Sequence, residues 1–481
     1  MTVAVHQRST RSSEWTYVLL TLAAFVFTPE LRRLVDWRGN FDPLNAFAVI
    51  PLLMLCPIAV LAFRRRRRLR GSAFGFVAIT WLAAFTYSTF IAAAHGAAVQ
   101  ALYADAQFCL PMTVGAWLIT CDDTMEAAHA RLARALFLFG SIASAYGIIQ
   151  YVVAPPWDTA WMQNTGYEGF GSPEPFGIRV FGVLNGPGVF ALFVGSVVLF
   201  NLPYLRVRNL VGMGGLLLMS VALMLSMVRS AWLAVLIGVI IFLWLSAQRF
   251  QAVKSIAAVV VVCGIGSFAA LLAIPDPGVR DRIVERFTTL SNVQDDGSTQ
   301  ERRATAGAAL QRAFDQPAGA GAGVTGGGSK LSTSDALLSN GVPAGPIDNG
   351  FVSRFFEMGV PGFAAFIVAC CMSIGMAIRA YGRRRRWKDG AGMAVAASCI
   401  ATQVVIFAIN ISGDGQQAIL GVLFFAAFAL SLMRSAPGKI AVPARASDRA
   451  APASPSSRSR RSASVVLHPY RTANRNLTTE Q

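Results

Sequence analysis

The residues in this sequence best suited to chemistry are arginines beside apolar segments, on the side of the predicted bundle where few basic residues occur. They are Arg179, Arg229 and, at the start of a predicted helix in the one long polar segment, Arg302 and Arg303. A guanidinium at a membrane edge is costly unless it meets an anion, and its planar fork suits two-point binding of a phosphate. Together the set predicts a diphosphate-binding site. Each arginine alone is equally consistent with contact to lipid headgroups or with pairing to Asp348 or Glu357.

A second group of candidates lies where the long polar segment meets the next apolar span. Asp348 is placed to accept a proton from a sugar hydroxyl, although an aspartate here would also serve as a helix N-cap. Arg354 and Glu357 are three residues apart and are able to pair on one helix face. We therefore take Asp348 and Arg229 as candidate catalytic residues, and Asn349, Arg354 and Glu357 as supporting residues.

The sequence shows no pattern for a metal or another cofactor, and we expect neither. The predicted outer face has no Asp-x-Asp pair, and the chain has no His/Cys cluster with the spacing of a zinc site. The glycine-rich stretch 317–328 lacks the Gly-Lys-Ser/Thr of a nucleotide-binding loop. For this stretch we expect a flexible hinge, with a backbone anion nest as the alternative.

The elements that must position these residues are apolar helices. The chain has 481 residues, of which 54% are hydrophobic and 14% charged, where a soluble domain has roughly 25% charged. Runs of about 20 apolar residues recur from end to end, and each is long enough to cross a bilayer as a helix. The sequence predicts an all-α polytopic membrane protein with about twelve transmembrane helices and one large periplasmic loop between spans 9 and 10.

The positions of the charges predict the orientation. The net charge is +17, but the arginines cluster beside spans, at 64–70 and 383–386, as the positive-inside rule expects, and not on a nucleic-acid surface. The long polar segment carries seven basic and nine acidic residues, which places it on the opposite side. Both termini are therefore expected in the cytoplasm.

The predicted organisation has five parts. They are a cytoplasmic N-terminus at 1–14, spans 1–9 at 15–274, the periplasmic loop at 275–350, spans 10–12 at 351–433 and a basic disordered cytoplasmic tail at 434–481. Within the loop, Gln300–Gln316 is predicted to form a helix with Leu310 and Phe314 on one face.

The order of several short motifs resembles the O-antigen ligase/polymerase superfamily. The motifs are Arg179-Val-Phe-Gly, Met227-Val-Arg229-Ser-Ala-Trp, Glu301-Arg302-Arg303, the Pro-x-Gly-x-Gly stretch from Pro317, Asp348-Asn349-Gly-Phe, and Glu357-Met-Gly-Val-Pro-Gly362. This resemblance implies a GT-C-like, metal-independent glycosyltransferase whose donor is a glycan on undecaprenyl diphosphate. It also implies that Arg179 and Arg229 bind the diphosphate and that Arg302 is the loop arginine. Ligases of the family carry a histidine where this sequence has Asp348, a departure that favours a polymerase.

The resulting prediction is a polymerase of exopolysaccharide or O-antigen repeat units in a bacterial inner membrane. Its expected partners are the undecaprenyl diphosphate-linked glycan, the lipid bilayer, and a flippase and chain-length regulator of the same pathway, with no nucleic acid. One alternative is an O-antigen ligase that joins the glycan to lipid A-core or another acceptor. The other is a transporter or flippase of lipid-linked sugars, which predicts charged residues inside several spans, where Asp105 is one of few.

Overall fold

The computed structural model describes residues 2–39, 46–165, 168–205, 209–246, 264, 297–325, 347, 349–387, 389–411, 413 and 415–435. In this part of the chain the regular structure is helical, apart from one antiparallel bridge between Gly171 and Ile178. The helices are α1 (Thr2–Arg38), α2 (Ile50–Leu53), α3 (Leu55–Arg64), α4 (Ala73–Ala94), α5 (Ala98–Cys109), α6 (Met112–Thr120), α7 (Met125–Val153), α8 (Pro156–Thr165), α9 (Pro187–Asn201), α10 (Leu210–Leu225), α11 (Arg229–Ser246), α12 (Gly297–Asp315), α13 (Gly350–Arg386), α14 (Gly390–Ala408) and α15 (Ala418–Leu432). The all-α prediction is confirmed for these residues.

Six helices in the described ranges are long and apolar enough to cross a membrane. They are α4, α7, α9 with the turn that follows it, α11, α13 and α14. Shorter apolar helices are α10, α15 and the stretch formed by α2 and α3. Of the predicted ninth span, about 256–274, the structure describes only residue 264. The count of about twelve spans and the periplasmic loop therefore stay predictions.

The centre of the bundle is formed by α9, α14 and α15. The apolar stretches of α9 and α14 are each 78% buried, against 33% in α4 and 28% in α11. Every residue of α15 from Ile419 to Ser431 is buried. The outer helices instead point large apolar side chains away from the protein, with Phe90 72% and Trp244 76% exposed. Apolar side chains facing outward around a buried centre suit surrounding lipid.

Close packing in the bundle depends on aromatic side chains set against small residues. The Trp81 ring on α4 lies 5.2 Å from the ring of Phe366 on α13 and 5.0 Å from that of Phe425 on α15. Its Nε1 also donates to the Phe108 carbonyl of α5 at 3.2 Å. On α6, a Cβ at Gly115 would lie 2.6 Å from the Phe425 carbonyl oxygen, so α6 and α15 meet with little room for a larger residue.

The charged clusters gather at one end of the bundle, which we call the basic end. There Arg65 pairs with Glu14 at 2.6 Å and Arg68 with Asp122 at 2.6 Å. Arg384, near the end of α13, donates to the carbonyls that close α15. The first two contacts join the end of α3 to α1 and to the end of α6, and the contacts of Arg384 join the end of α13 to that of α15. The compartment that this end faces stays a prediction from the positive-inside rule.

The opposite end, which we call the loop end, carries all the described candidate site residues. It consists of the α4–α5 turn, residues 154–165 and 168–186, the α10–α11 turn, residues 316–325 and the start of α13. The N-terminal helix also reaches it. Helix α1 runs to Arg38 and contains Pro29.

Candidate functional site

The segment that begins at Arg179 packs against the turn between α10 and α11. The Val180 N–H donates to the Leu225 carbonyl at 3.2 Å, and Arg179 Nη2 donates to the Met227 carbonyl at 3.2 Å. Because Arg229 is two residues beyond Met227, the two predicted diphosphate arginines lie at one turn of the loop end. They are 50 residues apart in sequence and come from different elements. Both are half-buried.

The α10–α11 turn is tight and held by its own side chains. Ser226 Oγ donates to the Leu223 carbonyl at 2.6 Å and accepts from the Val228 N–H at 3.4 Å. Trp232 Nε1 donates to the same Leu223 carbonyl at 2.9 Å. Met227 adopts a positive φ of 55°, an uncommon conformation for a residue other than glycine. The turn places Arg229 at the first position of α11, where the helix dipole also favours an anion.

A buried polar network holds the segment after Arg179 in place. Arg33 of α1 donates to the carbonyls of Gly182 and Leu184, each at 2.6 Å, and its Nε lies 2.8 Å from the Asp158 carboxylate. Gln150 Oε1 accepts from the N–H groups of Phe181 and Gly182 at 3.1 and 2.9 Å. This network joins α1, α7 and α8 to the backbone that carries Arg179.

The charges in this network are enclosed. The side chains of Arg33 and Asp158 are both 0% exposed. Asp158 also accepts from Tyr146 Oη and Gln150 Nε2, each at 2.7 Å. Burial raises the pKa of Asp158 to about 6, and Arg33 opposes this shift. Sequence reasoning missed the pair, because its two residues are 125 positions apart.

The residues that follow α12 form a packed segment, 317–325, which we call the glycine strap. The expectation of a flexible hinge is wrong for these residues, because Gly319 to Thr325 are all buried. The alternative, an anion nest, does not fit either. Each N–H from residue 319 to residue 322 donates to a protein carbonyl, those of Gln316, Phe356, Glu357 and Ser88. The strap is therefore structural.

The strap crosses α13 where that helix is kinked. Gly359 has a φ of 59° and a ψ of −170°, and Pro361 has no N–H to donate to the Glu357 carbonyl. Ala320 and Gly321 instead donate to the carbonyls of Phe356 and Glu357, each at 2.9 Å. A Cβ at Gly319 would lie 2.5 Å from the Gly359 nitrogen, so the two backbones are in direct contact.

Glu357 joins the strap to α13 through its side chain. Its Oε1 accepts from the Thr325 N–H at 3.0 Å and from Thr325 Oγ1 at 2.6 Å. Its Oε2 pairs with Arg354 Nη1, as the sequence predicted for a one-face pair. The Arg354 guanidinium lies 4.4 Å from the ring centroid of Phe108 on α5. Glu357 is 0% exposed and Arg354 2% exposed, so this pair is enclosed within the protein.

The remaining predicted site residues are described only in part. Asn349, and not Asp348, is the N-cap of α13, and its side chain accepts from the Val352 N–H at 3.1 Å. The alternative role of Asp348 as that N-cap is therefore wrong, and Asp348 itself lies outside the described residues. Arg302 and Arg303 are in the first part of α12, residues 297–305, where only the backbone is described.

The register of α12 separates its two arginine positions. Ala309 and Ala313 are 3% and 0% exposed, whereas Leu310 and Phe314 are 38% and 67% exposed. By helical periodicity, position 302 is in line with the buried pair and position 303 with the exposed pair. The predicted helix with Leu310 and Phe314 on one face is confirmed.

Asp105, the charged residue noted within a predicted span, is in α5 at the loop end. Thr89 Oγ1 donates a hydrogen bond to its carboxylate.

Among the residues that the structure describes, no group of three or more His, Cys, Asp or Glu side chains is able to hold a metal ion. Metal independence stays a prediction.

Comparison with known families gives one match. Residues 214–367 match the family described as O-Antigen ligase. The match is about a third of the chain and extends from α10 to α13, so that it includes Arg229, α12, the glycine strap and Glu357. Arg179 lies outside it. No curated protein matches the chain.

Proposed function

We propose, from the match of residues 214–367 to the O-antigen ligase family, that this chain is a member of the O-antigen ligase/polymerase superfamily and polymerises glycan repeat units. Members of that family are glycosyltransferase-like enzymes that act on lipid-linked glycans in a membrane. The donor proposed here is a glycan on undecaprenyl diphosphate. The acceptor is a sugar hydroxyl of a second lipid-linked repeat unit, and the product is exopolysaccharide or O-antigen.

The observation that supports this proposal is the convergence of Arg179 and Arg229 at the α10–α11 turn. Arg179 Nη2 donates a hydrogen bond to the Met227 carbonyl at 3.2 Å, and Met227 is only two residues before Arg229 in the chain. Two half-buried guanidinium groups at one turn form a site for an anion with more than one charged oxygen. The start of α11 adds the positive end of a helix dipole.

In the proposed reaction the acceptor hydroxyl attacks the anomeric carbon of the donor. The bond from that carbon to the diphosphate oxygen breaks, and the polyprenyl diphosphate leaves with the electron pair. Arg179 and Arg229 stabilise the charge that develops on the leaving oxygen, which is where electrostatic stabilisation lowers a barrier most. Asp348 is the proposed base for the hydroxyl proton, and Arg302 is the proposed third contact to the diphosphate.

The proposed location is the inner membrane of a bacterium, with the loop end in the periplasm and both termini in the cytoplasm. The arginine clusters at the basic end support this orientation. A reporter enzyme inserted between residues 325 and 347 tests it. Activity of a periplasm-dependent reporter is expected, and activity of a cytoplasm-dependent reporter at this position would contradict the proposal.

The main experiment replaces the chromosomal gene with variants and follows polysaccharide length on gels. Arg179→Ala and Arg229→Ala are each expected to lower long-chain polymer by about 10- to 100-fold, the loss for a hydrogen bond to a charged group. Arg386→Ala, at the exposed end of α13, is the matched control and should leave polymer unchanged. Polymer of normal length in Arg229→Ala cells, with the protein present in the membrane, would contradict the proposal.

The same strains separate the alternatives. Loss of a polymerase leaves single repeat units, whereas loss of a ligase leaves polymer that is made but not attached to its acceptor. A transporter or flippase would move lipid-linked glycan across vesicles without lengthening it. Purified protein that extends a lipid-linked glycan in detergent, where no transport is possible, would exclude the carrier.

A further inference from the structure

The carboxylate of Glu357 is the point at which the glycine strap is fastened. Its two oxygens have separate partners, since Oε1 accepts from Thr325 and Oε2 pairs with Arg354. Ser353 Oγ, one turn earlier on α13, lies 2.6 Å from Thr325 Oγ1. The last described residue of the strap is thus held by two side chains of α13.

The middle of the strap is joined to α13 by backbone hydrogen bonds. The kink at Gly359 and Pro361 leaves the carbonyls of Phe356 and Glu357 without their helical donors, and the strap supplies the N–H groups of Ala320 and Gly321. In return, the Val360 N–H donates to the Pro317 carbonyl at 2.8 Å. The strap is therefore an added layer across a break in α13.

Helices α4 and α5 enclose the strap from the other side. Gly321 adopts a φ of 100°, and a Cβ there would lie 2.5 Å from the Cα of Ala92 in α4. Ser88 Oγ donates to the Glu357 carbonyl at 3.0 Å, and Tyr87 Oη donates to the Ala318 carbonyl at 3.0 Å. The strap is enclosed between α4, α5 and α13, and it has no room to shift sideways.

The strap continues directly from α12. That helix ends at Asp315, and the Gln316 N–H still donates to the Arg312 carbonyl at 3.1 Å. Ala313 is in one apolar cluster with Ala320, Val324 and Phe356. Position 302 is thirteen residues before the end of the helix, about 20 Å along its axis. A small rotation at the strap would therefore move position 302 by several times more than position 315.

We infer that Glu357 is a positioning residue, which by fastening Thr325 and the strap to the kink of α13 sets the direction of α12 and so the place of Arg302. This inference rests on the proposed function, in which Arg302 contacts the donor diphosphate. Glu357 touches no reacting atom. It acts through the strap, and Arg354 keeps its second oxygen occupied.

The test uses the full-length protein in lipid nanodiscs and undecaprenyl diphosphate as the probe, with uncharged undecaprenol as the control lipid. Thr325→Val removes one hydroxyl contact to Glu357 with little change in side-chain volume. Thr325→Ser keeps the hydroxyl and is its matched control. Glu357→Gln keeps the shape of the side chain and removes its charge. Arg229→Ala reports on the proposed diphosphate site independently of the strap.

The expected result is weaker binding of undecaprenyl diphosphate, by about 10-fold or more, in Thr325→Val and Glu357→Gln, with Thr325→Ser within about 3-fold of the unmodified protein. Hydrogen exchange should become faster in α12 and the strap of the same two variants and stay unchanged in α14 and α15. A merely structural contact would speed exchange without changing the affinity.

Three outcomes decide the question. The inference is supported if Thr325→Val and Glu357→Gln bind undecaprenyl diphosphate more weakly and exchange faster in α12, while Thr325→Ser does neither. Unchanged affinity in Thr325→Val and Glu357→Gln, while Arg229→Ala loses binding, overturns the positioning role and leaves the proposed function standing. If the unmodified protein binds undecaprenyl diphosphate no better than undecaprenol, the proposed function fails and this inference fails with it.

Discussion

Arg179 Nη2 donates a hydrogen bond to the Met227 carbonyl at 3.2 Å, across 48 residues of sequence. This bond ties the segment after the outer loop to the turn between α10 and α11. It brings Arg179 to the turn that carries Arg229, although the two arginines are 50 residues apart in sequence. The buried network of Arg33, Gln150 and Asp158 then fixes the backbone that follows Arg179.

The shared turn predicts that the effects of losing Arg179 and Arg229 are not additive. If both contact one diphosphate, removing either displaces the leaving group, and removing the second adds little. We expect glycan transfer by the double variant Arg179→Ala/Arg229→Ala to be within about 5-fold of the worse single variant. Initial rates with purified protein measure this. Losses that multiply would indicate two separate sites.

The register of α12 predicts that its two arginines differ. Position 302 is in line with buried Ala309 and Ala313, whereas position 303 is in line with exposed Leu310 and Phe314. We expect Arg302→Ala to lower polymer formation by about 10-fold or more, and Arg303→Ala by less than about 3-fold. Gel profiles of the two strains, at equal protein level, make the comparison. Equal losses of polymer in the two strains would contradict the prediction that position 302, and not position 303, contributes to the site.

The enclosed pair of Arg33 and Asp158 predicts a stability defect. Removing one member leaves a buried charge without its partner, which costs about 3–5 kcal/mol. Arg33→Ala should therefore lower the amount of folded protein and its thermal unfolding midpoint. Arg38→Ala, an exposed arginine at the end of the same helix, should change neither. Size-exclusion profiles of the two variants, extracted in the same detergent, test this, and matching profiles would refute it.

The close contact of Gly321 with α4 predicts that a single methyl group is not tolerated there. Alanine at this position combines a φ of 100° with a Cβ 2.5 Å from the Ala92 Cα. Strain and overlap of this kind cost about 1–3 kcal/mol or more. Gly321→Ala should lower both activity and melting temperature. The control is Gly375→Ala on α13, where a Cβ would meet nothing within 4 Å. A Gly321→Ala protein with an unchanged melting point would show that the strap is able to shift.

Much of the fold is readable in the sequence, because apolar helices in lipid leave a local signal. Long apolar runs predicted helices of membrane-spanning length, and the arginine runs beside α3 and α13 predicted one basic end. Periodicity predicted α12 with Leu310 and Phe314 on one face, and the three-residue spacing predicted the Arg354–Glu357 pair. Each of these depends on residues within one or two helical turns, so the sequence determined them by itself.

Contacts between distant segments were decided only by the tertiary structure. The pairing of Arg33 with Asp158 joins residues 125 positions apart, and no periodicity connects them. The glycine stretch looked flexible because glycine is permissive by itself, yet it is buried because Pro361 and Gly359 leave carbonyls on α13 that need donors. Likewise, the types of Arg179 and Arg229 suggested an anion site, but their nearness follows from how α9, α10 and α11 pack. A backbone group that loses its local partner must find one elsewhere in the fold, and sequence spacing does not say where.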